Sequence, residues 1–103
     1  MESKLSENML EVIAQRFRVV GEPMRLRILQ LLEPGEQSLN EIVSHLNSSQ
    51  ASVSKHLQAL SQGGLISRRR DGLEVFYAIA DPFAFRICEF VFRYNAKAIG
   101  KGS

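Results

Sequence analysis

Two apolar periodicities separated by three small polar residues constrain this chain more than any other feature. In "SLNEIVSHLNSSQASVSKHLQAL", residues 38–60, Ser38 and Glu41 have the spacing of a capping box that opens a short helix through Leu46. "NSS" is a short polar turn, and Ser49 is a good N-cap for a second helix. In that helix Val53, Leu57 and Leu60 recur at i, i+4 and i+7, the spacing of one buried face. The other face carries Ala51, Ser52, Ser54, Lys55, Gln58 and Ala59. A merely solvated helix would more often carry Glu and Lys there, because serine competes for backbone hydrogen bonds and is a mediocre helix former. That small, polar face needs another reason.

The flanking sequence supplies the context. Leu5, Met9, Ile13, Phe17 and Val20 fall on one helical stripe over residues 5–20, and Gly21 interrupts it. Pro23 suits the first turn of a second helix, about 23–33, whose Leu26, Ile28, Leu29, Leu31 and Leu32 are candidate core; Pro34-Gly35 then breaks the chain. Past Gly63-Gly64, residues 65–70 and 73–80 read as strands joined by Asp71-Gly72, a two-residue hairpin signal. That turn would set Arg70 opposite Leu73 and Arg69 opposite Glu74. Asp81-Pro82 starts a final helix that frays near Asn95, leaving "KAIGKGS" as a tail.

The order is four helices, a hairpin and a helix. The expected fold is mainly α with a small β-hairpin: a winged helix-turn-helix of about five helices with a two-stranded wing. The helix-turn-helix falls at about 38–62, the wing at about 65–80, and the outer helices at about 5–20 and 82–96. No internal repeat, low-complexity segment or linker is visible, so residues 1–103 read as a single domain.

Composition narrows the function. With 45% hydrophobic and 23% charged residues, the 103-residue chain is globular rather than disordered. A single cysteine, Cys88, excludes an intrachain disulfide and any Cys-rich zinc site, and fits a reducing cytosol. The start "MESKLSENML" lacks a signal peptide's basic and apolar regions, and no apolar run approaches bilayer-spanning length, so the expected location is cytoplasmic with no membrane partner. The net charge of +2 is unevenly placed. Residues 1–41 hold five basic and seven acidic side chains, whereas residues 42–70 hold Lys55, Arg68, Arg69 and Arg70 and no acid. Such a basic zone is the footprint of a polyanion-binding surface.

The small polar face now has a reason. A recognition helix lies in the major groove with base edges within reach of its outer face, where bulky or acidic side chains obstruct or repel. Ser, Gln, Lys and His donate or accept hydrogen bonds to bases and phosphates, and an alanine methyl can touch a thymine methyl. Double-stranded DNA is the expected partner.

The stretches "FRVVGEPMRLRILQLL" and "SLNEIVSHLNSSQASVSKHLQALSQGGLISRRRDGLEVFYAI", with their spacing, resemble the ArsR-type winged-helix transcriptional regulators from about Phe17 to Ile79. The resemblance implies a homodimer joined through its first and last helices. It also implies repression by occupying an operator, relieved when an inducer changes the dimer. The last helix supports a dimer independently. Phe83, Ile87, Phe90 and Tyr94 form one stripe, while Phe85 and Phe92 lie almost opposite and have no second surface within a small monomer. Met9, Ile13, Phe85, Cys88 and Phe92 are the candidate interface residues.

The candidate DNA-binding residues are Ser49, Gln50, Ser52, Ser54, Lys55, His56, Arg68 and Arg70. Gln50, Ser52 and Ser54 are assigned to base edges, and Lys55, Arg68 and Arg70 to phosphates. Ser49 is first a helix cap, and His56 is equally a boundary residue bonded within the fold. Alternation along the strand sends Arg69 away from Arg68 and Arg70, towards an ion pair with Glu74. Members that sense metal carry cysteines on the helix before the recognition helix, or Asp and His on the last one. Here those helices read "LNEIVSHL" and "DPFAFRICEFVFRYNAKAIG", so no metal and no cofactor is expected and the inducer is not a family-type metal. Cys88 reads as a small apolar residue or as a redox thiol paired across the dimer, the inducer being a small molecule or an oxidant. A winged-helix protein-interaction module remains the rival class. No nucleophile–base pair, phosphate-cradling loop or ligand cluster suggests an enzyme.

Overall fold

The segment from Pro23 to Leu32, α2, is the centre around which the rest packs. Proline at its first turn gives up an N–H that would have no helical partner. Ile28, Leu29 and Leu32 are at most 1% exposed. A computed structural model of the chain describes residues 5–99. Ahead of α2, α1 runs Glu7–Val20, with the Ser6 hydroxyl accepting from the Met9 N–H at 3.1 Å. Only Val19 and Val20 of α1 are buried. Of its expected stripe, Leu5, Met9 and Phe17 remain about half exposed (54, 46 and 49%), because α1 touches the core through its C-terminal end alone.

Beyond α2, the residues Gln37–Ser38 form a two-residue strand, β1, which periodicity could not reveal. Ser38 also begins α3, Leu39–His45, through the expected capping box. Its hydroxyl accepts from the Glu41 N–H at 3.1 Å while the Glu41 carboxylate accepts from the Ser38 N–H at 2.8 Å. The next helix, α4, runs Gln50–Gln62, with the Ser49 hydroxyl accepting from the Ser52 N–H at 3.1 Å. Val53, Leu57 and Leu60 are completely buried against α2 and Ile42.

The strands β2, Ile66–Asp71, and β3, Glu74–Ile79, pair antiparallel, and β1 joins the far side of β3. The two-stranded wing is present as β2 and β3, and the unexpected β1 makes the sheet three-stranded, in the order β1-β3-β2. Its register is also shifted from the expectation: Asp71 faces Glu74, Arg70 faces Val75 and Arg69 faces Phe76. The two-residue loop is Gly72-Leu73. Gly72 has φ +65°, the left-handed value that glycine adopts freely at the first position of a type II′ hairpin. The glycine's place within the turn, rather than the Asp-Gly pair, sets which residues close the ladder.

The last helix, α5, runs Phe83–Ile99, so residues 97–99 of the expected tail are helical; residues 100–103 lie outside the described residues. Asp81 begins it, its carboxylate accepting from the Phe83 N–H at 2.9 Å and from the Arg16 guanidinium of α1 at 3.2 Å. The face of α5 turned to the core differs from the one expected. Ala84 is 2% exposed, with Phe83 and Phe85 half-buried on either side of it. Phe90 and Tyr94, expected to face the core, are 67 and 81% exposed and stack on each other with ring centroids 6.0 Å apart. The small Ala84 lets the helix seat closely, and from Cys88 to Asn95 its side chains are exposed. Among the described residues no helix is long and apolar enough to cross a membrane.

Candidate nucleic-acid interface

The buried stripe of α4 fixes which side chains face outward. Ala51, Lys55 and Gln58 are exposed and Ser52 and Ser54 are half-buried; together they line a groove of about 790 Å³. Gln50 is exposed at the N-terminal end of the helix, beside the capping Ser49. Glu22 and Arg25 from the start of α2 close one side of this groove. Neither was found from the sequence, because only packing brings the first turn of α2 beside α4. Glu22 is the one acidic residue lining it.

His56 also lines the groove, and its two readings are not exclusive. Its Nδ1 accepts from the Arg25 Nε–H at 3.1 Å, while the Arg25 Nη1 donates to the Val19 carbonyl at 3.1 Å. The ring is thus bonded within the fold and half-buried, yet remains on the groove wall. His45 is exposed, its ring nitrogen 2.8 Å from the Glu41 carbonyl.

A second groove, about 370 Å³, runs between α4 and the wing and is lined by Ser54, Gln58, Ser61, Gln62, Arg68 and Tyr77, with Leu57 at its floor. It brings Arg68 beside the recognition face. Arg70 is exposed further along β2 towards the hairpin tip and lines neither groove. Arg69 points the other way, as alternation requires, but does not pair with Glu74. Its guanidinium makes a two-pronged contact with the Glu36 carboxylate at 2.9 and 2.8 Å and lies over the Phe76 ring at 4.6 Å. Asp71 is a further 3.8 Å contact. The correction follows from the register, which puts Phe76 rather than Glu74 opposite Arg69. The hydrogen bond from Arg69 holds the Glu36 carboxyl below its ordinary range and raises the guanidinium, so this pair is charge-matched internally. Among the described residues Lys55, Arg68 and Arg70 have no acidic partner within 4.0 Å, and their charge is available to a polyanion.

Away from this face, Val20 and Leu26 meet Ile87, Cys88, Val91 and Phe92 around an apolar groove of about 350 Å³. Cys88 is exposed there rather than packed as a small core residue. Met9 and Phe92 are exposed, Ile13 is half-buried, and Phe85 packs against the core. Among the described residues no three His, Cys, Asp or Glu side chains gather as a metal site would require.

A helix pair across a tight turn, a sheet flanking the second helix and unpaired cations on one side define a winged helix-turn-helix domain. A helix-turn-helix domain family matches residues 20–69. The "Probable mercury resistance operon repressor" of Streptomyces lividans is 40% identical over 72 residues, covering 70% of this chain and 58% of that protein. The transcriptional repressor SdpR of Bacillus subtilis is 36% identical over 63 residues, 61% of this chain and 70% of that one. Among solved structures, the homodimeric winged helix-turn-helix DNA-binding domain of Mb0332 from Mycobacterium bovis, described as a possible ArsR-family regulator, superposes with a TM-score of 0.76. It is 28% identical, covering 96% of this chain and 94% of that one. The chain belongs to the ArsR/SmtB family of winged helix-turn-helix transcriptional regulators, which are not enzymes.

Proposed function

We propose that this regulator is a cytoplasmic, homodimeric repressor that occupies a roughly palindromic operator in its own promoter region. The observation that carries the reading is the recognition face itself. Ser52, Ser54, Lys55 and Gln58 line one open groove on a helix held rigidly by three fully buried side chains, and Arg68 lines the next. In this reading Gln50, Ser52 and Ser54 contact base edges. Lys55, Arg68 and Arg70 contact phosphates, and Ser49 adds a phosphate contact to its capping role. The homodimeric relative supports a dimer, and the exposed apolar surface of α1 and α5, from Met9 to Phe92, is what favours those helices as its interface. Two recognition helices related by a two-fold axis would then address half-sites one helical turn apart, ~34 Å. The inducer, a small molecule or an oxidant acting on Cys88, would act on that dimer.

The test is affinity across a salt series, comparing a fragment from upstream of the gene with a scrambled fragment of equal length. Selective binding that weakens steeply with salt is the expected result. Binding without selectivity would remove the operator from the proposal. No binding to either fragment at low salt would leave the protein-interaction module as the better reading.

A further inference from the structure

We propose that Arg25 and His56 act as one preoriented hydrogen-bond donor on the recognition face, with His56 Nε2–H reading an acceptor on a base edge and Arg25 serving as its positioning residue. The inference rests on the reading of α4 as the DNA-contacting helix. Its basis is the direction of a single hydrogen bond. The Arg25 Nε–H can only donate, so the His56 Nδ1 that accepts it at 3.1 Å carries a lone pair. The ring proton is then on Nε2, and the ring's outer nitrogen is a donor. An unconstrained imidazole exchanges between two tautomers and rotates; here both are fixed by the bond.

Arg25 is itself held. Its Nη1 donates to the Val19 carbonyl at 3.1 Å, so the guanidinium bridges the end of α1 and the flank of α4. The arrangement has the logic of a metal-site histidine, whose second nitrogen is set by a fixed partner, with the outer atom offered here to a different ligand. Both residues line the groove that Lys55, Ser52 and Gln58 share. The charged groups around them are Arg25 and Glu22 from the α2 side and Lys55 from α4. Lys55 supplies the phosphate contact in this groove, which leaves the His56 Nε2–H, whose Nδ1 is occupied by Arg25, for an acceptor on a base. The acceptors a donor can read in the major groove are guanine N7 and O6, adenine N7 and thymine O4.

Two variants separate the roles. In His56→Asn the side-chain oxygen replaces Nδ1 as acceptor for Arg25, but no donor reaches the outer position. In Arg25→Ala the donor remains but its orientation and tautomer are released. Nitrogen-15 spectra of the imidazole should show a protonated Nε2 and an unprotonated Nδ1 in the native protein, and a tautomer mixture in Arg25→Ala. Both variants should bind the fragment from upstream of the gene about 3- to 10-fold more weakly, with affinity for a random-sequence duplex and the salt slope unchanged. If Arg25→Ala fails to fold, as judged by far-UV circular dichroism, His56→Asn and the native spectrum still decide the matter. A salt slope lowered by about one in Arg25→Ala would show that Arg25 itself holds a phosphate and would overturn the positioning role. Selective binding by the native protein with His56→Asn unaffected would overturn this proposal and leave the operator reading intact. Failure of the native protein to bind either duplex would reject both, whatever the tautomer.

Discussion

Lys55 and Gln50 stand five residues apart on one helix and are assigned different work, a division that substitution can test. A lysine on a phosphate acts as a point charge, so Lys55→Ala should weaken binding to every sequence alike and reduce the salt slope by about one. An amide on a base edge discriminates, so Gln50→Ala should change the preference at particular base pairs by about 1–3 kcal/mol while leaving the slope alone. Identical behaviour of the two variants in a binding-site selection would undo the division. Arg69 teaches the converse lesson. It stands between two arginines free to meet DNA, yet its charge is committed to Glu36 and its plane to Phe76. Three adjacent arginines are therefore two DNA candidates and one strut that ties the wing to the approach to β1.

At the scale of elements, the start of α5 hangs on one carboxylate. Asp81 accepts from the Phe83 N–H and from Arg16, which also lies 4.9 Å over the Phe83 ring, so α1 and α5 are joined at this point. The backbone N–H of Phe83 first, and Arg16 second, hold the Asp81 carboxyl below its ordinary value. The sign follows from that depression. The folded state binds the proton less readily than the unfolded chain, so the stabilisation is complete above the unfolded-state value. It is lost as pH falls through the lower, folded one. Thermal melts should therefore show Asp81→Asn less stable than the native protein near neutrality, with the two curves converging in acid. A gap that persists at acid pH would mean that the asparagine disrupts packing instead of removing a charge.

For the whole molecule, the unspent surface is the apolar side of α5 beyond Ile87. Phe90, Val91 and Phe92 are 67, 48 and 54% exposed on the isolated chain, and Met9, Leu10 and Val12 of α1 are similarly open. A two-fold interface buries each side chain twice. Replacing one phenylalanine by a charged residue then forfeits about 2 kcal/mol per copy, and raises the dissociation constant about a thousandfold. Phe92→Glu should sediment as a monomer at concentrations where the native chain is a dimer, with an unchanged far-UV spectrum. A variant that remained dimeric would place the interface elsewhere.

The sequence by itself determined the order of the helices, the capping box at Ser38, the cap at Ser49 and the buried stripe of α4. Each of these is local, set by the 3.6-residue period or by a side chain reaching its own helix end. Local spacing also revealed a basic zone around the recognition helix. Tertiary structure decided what needed a distant partner. The strand Gln37–Ser38 exists only because β3 offers a free edge, and two residues carry no periodicity. Arg69 found Glu36 across 33 positions of sequence, and Arg25 found His56 across 31. The stripe Phe83, Ile87, Phe90 and Tyr94 is the more hydrophobic one by periodicity, yet only Phe83 and Ile87 of it are half-buried. Close seating put Ala84 at the contact, with Phe83 and Phe85 packed beside it, since the distance between packed elements depends on the side chain at the contact, and Phe90, Phe92 and Tyr94 stay exposed on the single chain.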